Sequence, residues 1–353
     1  MLLKRIALHS FRNIESKTID ISPTLTVLLG ENAQGKTNIL ESIHVGVNGD
    51  GFRETKEDEL IMMGAKQAQI DLLLEDSIKN RQFRILIISN GDGKATKKYY
   101  VESVSKTGSQ YQELTTRTVL FSPEQIDIVI GSPDIRRSYM NAVIGRYDAQ
   151  YKKHLMNYEQ ALRKRNKILE QHTSVARLQD ELLFWDAYLE KEAAYITEKR
   201  AEYVLYINNH AQVDSHTFSA EYIRDTFTLD RLTEKKNLEL KLRKTLIGPQ
   251  KDDFLFQMAG KHGSHKNIHK YGSRSEQRMA VFWLKLNEIY YCEERLKLTP
   301  LLLLDDVFSE FDHDNKERIL RLIHRYQTVM TTTEKERINL LEKEKQGTTI
   351  VRL

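Results

Sequence analysis

The pattern of apolar positions changes character along the chain. From Ile6 to Leu29 it reads as strand, turn and strand, ending in the β-rich run Thr24–Leu29 that stops at Gly30. A helix is predicted to start near Lys36, with Ile39, Leu40 and Ile43 on one face at the spacing of a buried stripe. Strands are predicted at Ala68–Leu74, Phe83–Ser89 and Tyr99–Val101, with turn chemistry at Asn90-Gly-Asp-Gly93 between the last two.

After Pro133 the period becomes helical. Tyr151, Leu155, Tyr158 and Leu162 recur at steps of 4, 3 and 4, and Leu178, Leu182, Trp185 and Leu189 repeat that rhythm. No proline falls between Pro133 and Pro249, and glycine is nearly absent there. Two long amphipathic helices packed on each other account for this, with the stripes forming an intramolecular seam. They are too short for an extended coiled-coil arm. Beyond Gly248-Pro249 the α/β character returns. Leu301–Leu304 is a continuous apolar run, as expected of a central strand buried on both faces. A helix at about 315–326 and a strand at Thr328–Met330 follow.

Composition narrows the class without deciding it. The 353 residues are 40% hydrophobic and 29% charged, which predicts a soluble globular chain rich in solvated helices. A net charge of +4 does not announce a nucleic-acid binder, so any such surface must be segregated locally. The single Cys292 excludes an intramolecular disulfide and a cysteine-rich metal site. No apolar run approaches the ~18–20 residues needed to span a bilayer, and Lys4-Arg5 precede no signal-like segment. A cytoplasmic protein with no membrane association is the expectation.

Gly30-Glu31-Asn32-Ala33-Gln34-Gly35-Lys36-Thr37 fits G-x-x-x-x-G-K-[ST], entered by an apolar strand and left by a helix. Such a loop wraps phosphates with successive backbone N–H groups and adds the partial positive charge of a helix N-terminus. Lys36 is placed for the β- and γ-phosphates, and the Thr37 hydroxyl for Mg2+. Leu301–Leu304 running into Asp305-Asp306 is the expected second half of the site. Asp305 would hold Mg2+ through water, and Asp306 would orient or deprotonate the attacking water. Lys36 and Asp306 are thus the candidate catalytic residues, with a nucleoside triphosphate and Mg2+ as the expected ligands. The two halves lie near opposite ends of the chain, so both ends must meet in one sheet and the middle must project as an insertion. This predicts an α/β P-loop NTPase head of 1–133 with 246–353, and an inserted helical arm of 134–245.

Several segments carry a family likeness. Ser10-Phe-Arg-Asn13, the phosphate loop and Leu303-Leu-Asp-Asp-Val-Phe-Ser-Glu-Phe-Asp312 resemble the SMC/Rad50/RecF branch of ABC-class ATPases. Val119–Gln125, Gly131–Arg137, Gly248–Asp253 and the stretch from Phe52-Arg53 to Glu59-Leu60 resemble the RecF family within it. The resemblance covers nearly the whole chain. It implies Arg12 and Asn13 beside the nucleotide's α-phosphate and base, and Gln125 as a Q-loop ligand of Mg2+ or water. It further implies a D-loop at Ser309–Asp312 and a γ-phosphate switch within Thr331–Thr333. Ser273-Arg-Ser-Glu-Gln-Arg278 stands at the signature segment, so Ser273 and Gln277 would cap the nucleotide of a second copy. The family's glycine is replaced by Ser275, and a Cβ there would lengthen the contact and slow ATP-driven dimerisation.

As a resemblance, this implies a weak, DNA-stimulated ATPase that acts as an ATP-dependent homodimer in repair, recombination and replication-gap processing. It would hold double-stranded DNA near duplex–single-strand junctions, with RecR and RecO as partners. Basic residues cluster at Lys152, Lys153, Arg163, Lys164, Arg165 and Lys167, at Lys235, Lys236, Lys241, Arg243 and Lys244, and within Lys261–Lys270. Each is either a phosphate-contacting surface or a solvated helix face. His262, His265 and His269 lack cysteine partners and read as a flexible surface turn rather than a metal site. A Rad50-like nuclease partner is the alternative, disfavoured by the missing Cys-x-x-Cys hook. A small-molecule P-loop enzyme fits the helical insert and D-loop less well.

Overall fold

The computed structural model describes residues 1–52, 56–76, 78–91, 93–171, 175–213, 216–260, 264–307, 313–333 and 347–353, without the side chains of 175–180 and 313–316. Arg53, the D-loop Ser309–Asp312, Lys261 and His262, and the side chains of Leu178 and Asp180 therefore lie outside the described residues. The chain forms two compact units, residues 1–125 with 288–353 and residues 126–287.

Chain order opens with β1 (Leu2–Phe11), β2 (Ile14–Asp20), β3 (Leu25–Leu29) and helix α1 (Lys36–Asn48). Next come β4 (Gln67–Glu75), β5 (Asn80–Gly91), β6 (Lys94–Val101), β7 (Val104–Lys106), α2 (Gly108–Leu114) and β8 (Thr118–Phe121). The second unit begins with α3 (Asp127–Ile130), α4 (Pro133–Tyr147), α5 (Ala149–Gln171) and α6 (Val175–Asn209). It continues with β9 (Gln212–Val213), β10 (His216–Ile223), α7 (Leu229–Leu242), β11 (Asp253–Ala259), β12 (His265–Asn267) and α8 (Ile268–Tyr271). Helix α9 (Arg274–Leu296) starts in the second unit and ends in the first. The first is completed by β13 (Leu301–Leu304), α10 (His313–Arg325), β14 (Thr328–Thr332) and β15 (Thr349–Arg352).

In the first unit an antiparallel sheet, β2-β1-β4-β5-β6-β7, and a parallel sheet, β15-β3-β14-β13-β8, share one core with α1. Strict alternation buries Ala68, Ile70, Leu72 and Leu74 on β4 and Phe83, Ile85 and Ile87 on β5. On β1 the alternation slips between Leu3 and Ile6, where a register shift against β4 inserts a residue. The parallel sheet has no exposed face at its centre: all residues of β3, β13 and β14 are buried. N-terminal β3 lies between β14 and the C-terminal β15, so both chain ends do meet in one sheet. The one-faced stripe expected for α1 is replaced by burial all round, since every residue from Ile39 to Asn48 is buried between the sheets. Its buried polar side chains each find a partner, although Asn48 Oδ1 accepts no hydrogen bond among the described residues. Asn48 Nδ2 donates to Thr118 Oγ1 at 2.6 Å, and that hydroxyl also bonds His44 Nδ1 at 2.9 Å.

In the second unit α5 and α6 pack as the stripes predict, with Tyr151, Tyr158, Leu182 and Leu189 buried. The unit is not wholly helical, however. An antiparallel sheet, β12-β11-β10-β9, packs on α6, and Asn208 of that helix pairs with both backbone groups of Ala220. The period-2 burial of Phe218 and Ala220 on β10 is too short to stand out beside the long helical pattern. Because β11 pairs with β10, residues 246–287 cluster with this unit rather than with 1–125. His265 and His269 fall in β12 and α8, so the expected loose turn is ordered structure, and His269 Nδ1 lies 3.2 Å from the Val129 carbonyl.

A charged pair anchors this unit. Arg200, 2% exposed, donates to Asp252, 0% exposed, at 2.6 Å, and also to the Pro249 carbonyl, Asn141 and the Tyr151 hydroxyl. Asp252 further accepts the Tyr222 hydroxyl and the Asp225 N–H. Gly248, at φ +116°, enters the anchor; a Cβ there would stand 2.3 Å from the Tyr158 hydroxyl and 2.9 Å from Phe227. Asp252→Ala would leave a buried guanidinium without its counter-charge, and we expect it to lower unfolding stability by about 3–5 kcal/mol in urea titration.

Candidate nucleotide site

Strand register builds the site. β14 pairs with β3 on one side and β13 on the other, with Thr332 opposite Leu29 and Met330 opposite Leu304. The loop after β3, the acidic residues after β13 and the threonines ending β14 therefore emerge together, as ligand sites do at the carboxyl ends of parallel strands. Gly35 takes φ +87° as the loop turns into α1, and a Cβ there would press on Asn13 Oδ1 at 3.1 Å. The Lys36 ammonium donates to the carbonyls of Gly30 and Glu31 at 2.8 and 2.7 Å, and Glu31 N–H donates to Gln34 Oε1. The Thr37 and Thr331 hydroxyls both donate to Asp305 Oδ1, at 3.0 and 2.8 Å. Asp306 N–H donates to Thr331 Oγ1 at 2.9 Å.

A cleft of about 370 Å³ opens over these groups. It is lined by Asn13, Asn32, Ala33, Gly35, Lys36, Thr37, Asp305, Asp306, Thr331 and Thr333, together with Pro123 and Glu124. Gly30, Glu31 and Gln34 form the loop's frame and do not line the cleft. Arg12 does not line it either. Its guanidinium grips the fully buried Glu41 through Nε and Nη2, at 2.9 and 3.0 Å. Gln125 turns its side chain back to accept from Ser122 N–H, and its neighbour Glu124 faces the cleft. Glu41 and Glu124 were not singled out on the sequence. Glu41 lies one helical turn after Thr37 and shows only as a carboxylate in an apolar helix. Glu124 differs from Gln125 by one residue, and only the turn closing β8 decides between them.

Ser273 and Gln277 belong to the second unit. Ser273 and Glu276 cap the start of α9 reciprocally: Ser273 N–H donates to Glu276 Oε2 at 2.6 Å, and Glu276 N–H to Ser273 Oγ. Lys266 donates to both Glu276 oxygens, at 2.7 and 2.9 Å. Burial raises the Glu276 pKa, but Lys266 and the Ser273 groups outweigh it and leave it below the ordinary range. Gln277 Nε2 donates to the Gly272 carbonyl. Of the basic clusters, Lys152, Lys153, Arg163, Lys164 and Lys167 are exposed on α5, but Arg165 is not. It is buried against Asp186, Glu239 and Thr245 because its position faces α6 and α7, which removes it from any phosphate-contacting surface. Lys235, Lys241, Arg243 and Lys244 are exposed and Lys236 is half-buried.

A glycine loop between β3 and a buried helix, opposed by an acidic strand end in a parallel sheet, defines a P-loop ATPase head of the ABC type. The family described as RecF/RecN/SMC N terminal domain matches residues 2–350. A DNA replication and repair protein RecF from Agathobacter rectalis is 32% identical over 345 residues, covering 94% of this chain and 92% of the relative. One of the same description from Natranaerobius thermophilus is 31% identical, covering 96% and 93%. The chain belongs to the RecF family. A solved structure of the recombination mediator protein RecF-ATP in the RecFOR pathway superposes with a TM-score of 0.85 at 28% identity, covering 95% of this chain and 92% of that one. An Smc head domain from Pyrococcus furiosus, at 16% identity and TM-score 0.52, shares the fold.

Thr331→Val would remove the hydroxyl that ties Asp305 to the Asp306 N–H. We expect it to lower unfolding stability by about 1–3 kcal/mol, measured by thermal melting of the purified chain.

Proposed function

We propose that this chain is an ATP-switched DNA-binding protein of recombinational repair, working in the cytoplasm. The observation that carries the reading is the convergence of Lys36, Thr37, Asp305 and Asp306 in one cleft at the strand ends. The names of the relatives support it: DNA replication and repair protein RecF, and the recombination mediator RecF-ATP of the RecFOR pathway.

The side chains fit a magnesium-bound triphosphate. Thr37 Oγ1 and Asp305 Oδ1 offer two hard oxygens 3.0 Å apart, the donor type that Mg2+ selects. Thr37 and Asp305 would hold the magnesium, which would supply positive charge against the phosphate charge that develops in hydrolysis. Lys36 would leave the Gly30 and Glu31 carbonyls for the β- and γ-phosphates. Asp306 would orient the attacking water and take its proton, with its backbone held through Thr331. Glu124 would add a second carboxylate beside the metal, in the place expected of Gln125. Asn13 would approach the nucleotide at the loop's rim, where it accepts from Asn38 at 2.6 Å.

A second copy would present Ser273–Arg278 to the terminal phosphate and close a symmetric dimer on duplex DNA, near duplex–single-strand junctions. The exposed lysines and arginines of α5 and α7 would contact phosphates without reading sequence, so binding would weaken as salt rises. Slow, DNA-stimulated hydrolysis would release the DNA, with RecR and RecO as partners in loading recombinase.

Lys36→Met should abolish ATP-dependent retention on gapped duplex DNA, measured by surface-immobilised DNA release; unchanged retention would remove the switch. Glu124→Gln should raise the Mg2+ concentration needed for half-maximal nucleotide binding in calorimetry, whereas Gln125→Ala should leave it unchanged.

A further inference from the structure

One face of α6 carries a ladder that neither the nucleotide cleft nor the core uses. Phe184, Tyr188, Lys191, Tyr195 and Lys199 follow at steps of 4, 3, 4 and 4, which keeps them in line along a helix. Phe184 is 63% exposed, and its ring lies parallel to that of Tyr188, with centroids 6.1 Å apart and planes at 23°. Trp185 meets the Phe184 ring edge-on at 5.0 Å. The ammonium of Lys164, reaching across from α5, sits 4.7 Å from the centre of the Trp185 ring. Farther along, Tyr195 stacks with His154 of α5 at 4.2 Å, and Lys199 lies 5.6 Å from the Tyr195 ring centre. Lys191 is exposed between the two aromatic groups.

Charge on this face is mixed but ordered. Glu192 is buried and held by His154, Asp148 accepts the Tyr195 hydroxyl, and Glu202 is paired with Lys199. Glu181 stands one turn before Phe184 and is exposed. Glu198, also exposed, lies three residues after Tyr195 on the same side, and the exposed lysines Lys153, Lys164, Lys167 and Lys191 outnumber these two carboxylates along the α5–α6 face. The seam between the helices is already filled by Tyr151, Tyr158, Leu182 and Leu189, so Phe184 is not needed to hold them together.

Aromatic rings in line, interleaved with lysines, suit unpaired nucleobases. Every base offers a π-face to an exposed ring, and ammonium groups at the sides meet the phosphates. Duplex DNA hides its base faces and would use only the lysines. We propose that the α6 ladder is a single-strand nucleic-acid platform. Phe184 takes a base on its open face, Tyr188 backs it, and Lys164 and Lys191 hold the flanking phosphates. Phe184 is preferred to Trp185 as the contact because Lys164 already covers one Trp185 face. The inference deepens the reading above by assigning the single-stranded side of a junction to the second unit, yet it requires neither ATP nor a dimer.

The chain has two tryptophans, and Trp283 is fully buried, so Trp185 is a built-in reporter. The full-length protein is titrated with a thymidine oligonucleotide without nucleotide, reading tryptophan emission and the anisotropy of a labelled strand. Saturating oligonucleotide should quench the Trp185 emission. Phe184→Ala should weaken binding by about tenfold or more, the loss of one base stack. Lys164→Ala should flatten the salt dependence by about 0.7 in log–log slope. Affinity for a blunt duplex should stay the same in Phe184→Ala, whose exposed position leaves folding intact. Equal oligonucleotide affinity in Phe184→Ala and the unaltered chain overturns the proposal and leaves the ATP switch standing. Unquenched emission at saturation also overturns it, because the strand then binds away from Trp185. Lys36→Met, which tests the switch, should bind the oligonucleotide like the unaltered chain, so the two readings fail separately.

Discussion

Burial of α1 on every side is the constraint from which the first unit follows. A helix with no solvent face must partner each polar side chain it carries, and this one carries Glu41, Ser42, His44 and Asn48 within its buried stretch. Arg12 answers Glu41, Thr118 answers His44 and Asn48, and Ser42 turns back to the Ile39 carbonyl. Those partners come from the end of β1 and the start of β8, so one helix fixes the position of both sheets. Because Lys36 and Thr37 form the first turn of that same helix, the phosphate-loop side chains inherit its rigidity. The cleft stands on an element that cannot tilt without uncovering a carboxylate.

The second unit solves a different problem with a similar device. Its helices and its small sheet are joined by the turn at Gly248–Asp252, which has few apolar groups to bury. A buried Arg200–Asp252 pair, surrounded by tyrosine hydroxyls and backbone groups, holds the turn instead. Such a pair contributes little to net stability relative to a well-packed apolar cluster, but its geometry admits few alternatives. The Gly-Pro-Gln-Lys-Asp-Asp run therefore serves as a structural junction: Gly248 permits the approach, Gln250 meets Tyr158, and Asp253 takes Arg136 in a bidentate pair.

Much of this was legible in the residues, for definable reasons. The phosphate loop is a local motif whose glycines and lysine act through backbone geometry, and Leu301–Leu304 is apolar enough to declare a central strand. The meeting of the chain ends followed from the distance between those two motifs. Long-range pairing left weaker traces. β10 alternates over too few residues, and β15 joins β3 from the far end of the chain with no signal beyond its β-branched residues. Arg165 shows why charge clusters mislead. It stands between lysines that are exposed, and only the helix phase relative to Asp186 and Glu239 turns it inward. Gln125 and Glu124 show the same limit at a turn, where a one-residue difference exchanges the group facing the cleft.

Arg12 brings these considerations together. The family likeness places it beside the nucleotide, while the structure commits its Nε and Nη2 to Glu41. The two are compatible only if the guanidinium keeps that pair, because abandoning a fully buried carboxylate would cost about 3–5 kcal/mol. A guanidinium has five N–H donors, and the Glu41 fork leaves Nη1 outside the bidentate contact. The residue's left-handed backbone, φ +53°, is pinned by Arg12 N–H donating to the Leu60 carbonyl at 3.0 Å. Both ends of the side chain are thus set before any ligand arrives. If Arg12 reaches a phosphate it does so through Nη1 and the second Nη2 N–H, as preorganised donors whose orientation is fixed by Glu41. The buried carboxylate would then serve the site by holding an arginine still.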